Sequence, residues 1–144
     1  RGAVFFAKTL SYLTASTALL AVPVLFHSAA AAILGKTAIL SFSNMLTLFM
    51  AVPAMGMLPL LFAFLFRDIG KTFVIPMVLY FLMIFALNSS RAAQLAVLLP
   101  IGQIRLISLN QLTSPTAVTA GIDGVWIFLS GLLAYGSFCR CDLK

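Results

Sequence analysis

A chain of 144 residues with 62 % apolar and 8 % charged side chains has too little polar surface to remain dispersed in water as a soluble domain. The net charge of +6 does not signal nucleic acid, because the nine basic residues stand singly at the ends of apolar segments and form no patch. The charge-free segments are instead long enough for a bilayer, whose hydrocarbon core of about 30 Å takes about 20 apolar helical residues.

The first segment, Thr9 to Ile33, lies between Lys8 and Lys36, and its His27 can be neutral. It is too long for a signal peptide, and further spans follow it. Pro23 predicts a kink near its middle. The chain opens on Arg1 rather than Met, so a fragment or a processed product is expected. The second span is expected over residues 41–64, bent at Pro53 and Pro59, and it ends at Arg67-Asp68-Ile69-Gly70-Lys71. The third, residues 72–87, reaches about 24 Å if helical, with Pro76 in its first turns.

Residues 92–120 differ. The apolar run Ala92–Leu99 is broken by Pro100-Ile101-Gly102, and a polar stretch with Asn110, Gln111, Thr113 and Ser114 follows Arg105. Runs this short do not cross a bilayer as single helices, so re-entrant or interfacial helices are expected. The last span is expected over residues 122–138, with Asp123 at its start and Trp126 at headgroup depth. The charged tail Cys139-Arg140-Cys141-Asp142-Leu143-Lys144 belongs in water.

The expected fold is therefore all-α: a polytopic membrane protein, one transmembrane domain of about four helices with re-entrant helices before the last. Four spans put both termini on one side. Arg1, Lys8, Arg67, Lys71, Arg140 and Lys144 share that side, against Lys36, Arg91 and Arg105 on the other. The positive-inside rule makes the termini cytoplasmic.

Motifs for chemistry fail on inspection. Gly35-Lys36-Thr37 and Gly70-Lys71-Thr72 end like phosphate-binding loops, but Ala30 and Leu65 stand where the earlier glycine is required. The pair Cys139 and Cys141 has only His27 to join it, short of the four ligands of a zinc site. No serine is placed to form a triad with His27 and Asp123. No catalytic, metal or cofactor residue is expected, and the chain is not expected to be an enzyme. The three acids, Asp68, Asp123 and Asp142, all fall in loops or at a span end, so no carboxylate for ion coupling is expected at membrane depth. Small residues at Ser11, Ala15 and Ala18, and at Ser130 and Ala134 beside Gly131, are candidates for close helix packing or dimerisation. The methionines and phenylalanines of the second span suit lipid, core or a hydrophobic substrate.

The segment order resembles the C-terminal two-thirds of permease subunits of type-2 ABC exporters. The opening Phe5-Phe6-Ala7-Lys8-Thr9-Leu10 resembles the entry to their third span. The loop Phe66-Arg67-Asp68-Ile69-Gly70-Lys71 resembles their short cytoplasmic turn between spans four and five. Residues 92–120 correspond to their outer re-entrant pair, and Phe138-Cys139-Arg140-Cys141-Asp142-Leu143-Lys144 is similar to their basic-acidic close, with Cys141 interrupting the usual Arg-Asp pair. Nothing resembles the family's N-terminal amphipathic helix, first two spans or main coupling helix. The resemblance implies a multi-pass permease in a bacterial cell membrane, a cytoplasmic ABC ATPase that binds the ATP, and a second permease subunit completing a dimeric pathway. Arg67, Asp68 and Lys71 become the candidate ATPase-facing loop, and the substrate is not legible. A non-transporting scaffold or accessory subunit is the main alternative, and an ion-coupled small drug carrier a further one.

Overall fold

The computed structural model describes residues 2–35, 41–66, 68–87 and 93–140. The order is α1 (Gly2–Ile33), α2 (Phe42–Phe66), α3 (Ile69–Leu87), a short 3₁₀ helix (Ala93–Leu98), α4 (Pro100–Ser108) and α5 (Thr116–Arg140), with no strand among the described residues. Helices α1, α2, α3 and α5 are each long and apolar enough to cross a membrane. The architecture is that of an all-α polytopic membrane protein.

The starts of α1 and α5 differ most from expectation. Helix α1 begins at Gly2, so Lys8 lies within it rather than before it. Its other end closes at Gly35, whose φ of 62° is the left-handed geometry glycine tolerates and whose N–H donates to Ala32 O. Helix α5 begins at Thr116, six residues before the expected start at 122. Asp123 is therefore not at a span end but about two turns inside the helix, about 10 Å from its first residue.

Helix α2 is the hub on which α1, α3, α4 and α5 all pack, α5 most extensively. Its residues meet those of α5 in the same direction. Ser43 pairs with Thr116 and Thr47 with Thr119, Gly131 lies against Met57, and Phe64 meets Phe138. The two helices run parallel. The chain thus leaves α3 and enters α5 at one end of the bundle, and residues 93–115 do not cross it. The opposite end is tied by the ring of Phe5, whose centroid lies 5.4 Å from Phe64, 5.2 Å from Tyr135 and 5.7 Å from Phe138. Both ends of the described chain accordingly lie at the same end of the bundle. Small buried residues, Ala51 and Ala54 on α2 with Ser130 and Ala134 on α5, allow the close approach. Ala134 packs within this chain, clustered with Phe5 and Phe138 against Leu61 and Phe64.

Proline explains one contact that hydropathy cannot. Pro59 has no N–H, so Met55 O, four residues earlier, loses its helical donor. The Tyr80 hydroxyl on α3 donates to that carbonyl. In lipid an orphaned carbonyl has no water to turn to. Tyr80→Phe should lower stability by about 1–2 kcal/mol, read as an earlier midpoint in denaturant titration of the purified chain.

Candidate functional site

The polar groups of the bundle gather where the short helices meet α2 and α5. The turn between the 3₁₀ helix and α4 reaches deep into the bundle. Leu99, Pro100 and Ile101 line a small space with Met55 and Leu58 of α2, Tyr80 and Met83 of α3, and Trp126 of α5. Trp126 lies ten residues into α5, about 15 Å from its start. Its indole packs against this turn.

The turn survives at that depth because its carbonyls are satisfied. Leu99 N–H donates to Ala96 O at 3.3 Å. Gln103 Nε2 donates to Val97 O at 3.0 Å, and Trp126 Nε1 to Leu98 O at 2.9 Å. Pro100, first in α4, needs no donor partner there. Gly102 permits the fold-back, because a Cβ there would sit 2.1 Å from Ala96 O.

Beside the turn a polar seam runs between α2 and α5. The Ser43 and Thr116 hydroxyls pair at its mouth, and Thr47 Oγ1 lies 3.2 Å from Thr119 Oγ1 one turn further in. The next turn of α5 carries Asp123, with Gln103 of α4 as its polar neighbour. Thr47, Thr119, Asp123 and Gln103 are all fully buried at 0 % exposure. Neither carboxylate oxygen of Asp123 has a hydrogen-bond partner, nor does Gln103 Oε1. The expectation that Asp123 sits at the end of its span is therefore overturned: α5 starts early and carries Asp123 about two turns inward.

The loop residues take another role. Arg67 lies outside the described residues. Asp68 Oδ1 accepts the Lys71 backbone N–H at 3.0 Å, and Asp68 O accepts the Thr72 hydroxyl at 2.7 Å. Asp68 is thus the N-cap of α3. Asp68 and Lys71 are both exposed at the same end of the bundle as the Phe5 cluster. His27 is exposed on α1, Cys139 is a free exposed thiol at the end of α5, and Cys141 lies outside the described residues. Among the described residues no three His, Cys, Asp or Glu side chains converge as a metal site would require.

Sequence reasoning passed over Gln103 and read Asp123 as peripheral. A signal existed: Thr116, Thr119 and Asp123 recur at helical spacing, and Ser43 and Thr47 offer a matching pair four residues apart. Compared with known proteins, the chain matches no family model, no curated protein and no solved structure.

Proposed function

We propose that this chain is the transmembrane permease subunit of an ATP-driven exporter of the ABC type. The observation that carries the reading is the short helix pair folded into the bundle between α3 and α5, with both chain ends gathered at the opposite end. That is the order the resemblance implies: three spans, an outer re-entrant pair, then a last span. In this reading the ends lie in the cytoplasm of a bacterial cell and Asp68 and Lys71 face a separate ABC ATPase. A second permease subunit completes the pathway, which opens outward as the ATPases close.

The test is biochemical. The chain, affinity-purified from its native membrane, should bring an ABC ATPase with it, and the reconstituted complex should hydrolyse ATP faster when transport substrate is present. Asp68→Lys should reduce that stimulation severalfold while the amount of permease in the membrane stays near normal. Parental hydrolysis and transport in Asp68→Lys would leave the loop a topology anchor alone.

Buried Asp123 favours a second reading, a proton-coupled carrier working without an ATPase. Transport in ATP-free vesicles that an uncoupler abolishes would establish it and remove the first.

A further inference from the structure

We propose that Asp123 is a proton-binding site within the bundle: its carboxyl group holds a proton while α5 is seated against α2 and the 3₁₀ helix, and gives it to water when that seam opens. The inference does not depend on whether an ATPase drives the protein.

The argument begins with what surrounds the carboxyl group. It is fully buried, and neither oxygen accepts a hydrogen bond. An ionised carboxylate in that position would be desolvated with at most the Gln103 amide in exchange, too little to hold a buried charge, and such groups neutralise instead. Neutralisation requires a cation or a proton, and among the described residues no cationic side chain bonds to it. Helix α2 and the 3₁₀ helix, both packed on α5, contain no ionisable side chain at all. Helix α1 offers Lys8, Tyr12 and His27, and α3 offers Lys71 and Tyr80, none of which bonds to Asp123. Arg105, on α4, has its own Nη1 buried without a partner and lines a separate space with Leu87 and Leu109. Had the two paired, neither would be orphaned.

A bound metal ion fits poorly. Hard cations take about six oxygen ligands, and the Asp123 surroundings offer its own two and Gln103 Oε1. The Thr47 and Thr119 hydroxyls are engaged with each other at 3.2 Å. The Gln103 amide is fixed by its Nε2 bond to Val97 O, so it brings one oxygen at most to such an ion. A single proton on the carboxyl removes the charge without further ligands. The step balances simply: the O–H bond breaks as the seam opens, the proton passes to entering water, and the carboxylate left behind is hydrated.

Only three acids occur in the chain, Asp68, Asp123 and Asp142, and there is no Glu. Infrared spectroscopy of the full chain in lipid nanodiscs can therefore assign the group directly. At about pH 5.5, where an exposed aspartate is ionised, the parent should show a protonated-carboxyl C=O band that shifts in D₂O and is lost in Asp123→Asn. The double variant Asp68→Asn with Asp142→Asn should keep that band, which holds the test open should Asp123→Asn fail to fold. Absence of the band from the double variant at that pH overturns the proposal, as does its loss from the parent on adding sodium in place of potassium. A band that survives in folded Asp123→Asn overturns it equally.

Discussion

Gly102→Val should break the inserted turn and leave little folded protein. The reason is the 2.1 Å between a Cβ at this position and Ala96 O, with Ala96 C and Cα both at 2.8 Å. These neighbours are backbone, so no rotamer change relieves the clash. Either α4 or the 3₁₀ helix must move, and movement of either breaks the bonds that Gln103 and Trp126 make to Val97 O and Leu98 O. Overpacking of about 1–3 kcal/mol together with two lost bonds of about 1 kcal/mol each amounts to about 3 kcal/mol or more, roughly a hundredfold or greater shift toward unfolding. Trp126 is the chain's one tryptophan. Its emission should move to longer wavelength in the variant as water reaches the opened turn. An unchanged spectrum and an unchanged unfolding midpoint would mean that the turn does not pack as described.

Asp123→Lys should be nearly as damaging, whereas Asp123→Asn should accumulate within about twofold of the parent. Asparagine retains size and brings no charge. Lysine brings a longer side chain and a charge into a fully buried position where neighbouring α2 side chains offer no carboxylate. An uncompensated buried charge destabilises by about 3–5 kcal/mol, and translocon scales put a central lysine near the lower end of that range. Membrane abundance and resistance to limited proteolysis, measured side by side for the two variants, check the contrast.

The four long helices were legible because uninterrupted apolar runs identify spans without help from the rest of the chain. The site was legible only in part. Thr116 to Gly121 resembles the polar loop before it, since a hydropathy reading counts each hydroxyl as exposed. In the folded chain those hydroxyls pair with Ser43 and Thr47 on a helix more than 70 residues away in sequence. Polarity that is satisfied inside a bundle looks, in one dimension, like polarity that seeks water. Moving the start of α5 back to Thr116 is what carries Asp123 inward, so one boundary error became an error about chemistry. Likewise Pro59 announced a free carbonyl at Met55, but only the packing of α3 on α2 names Tyr80 as the donor. Asp68 lies in the short turn before α3, and its capping of that helix is a local role that spacing alone does not name.

The dependence of α2 on later parts of the chain sets an order for its biogenesis. Helix α2 leaves the ribosome with the Met55 carbonyl open and Thr47 without its partner from α5. Tyr80 arrives 25 residues later and Thr119 72 residues later. At about 5–20 residues per second, seconds pass between insertion of α2 and the arrival of α5. Through that interval α2 is an unfinished helix in lipid, with polar groups that a membrane chaperone or protease can recognise. Nascent chains arrested after α3 should therefore be degraded faster than chains arrested after α5, and an α5 segment supplied as a separate polypeptide should protect them.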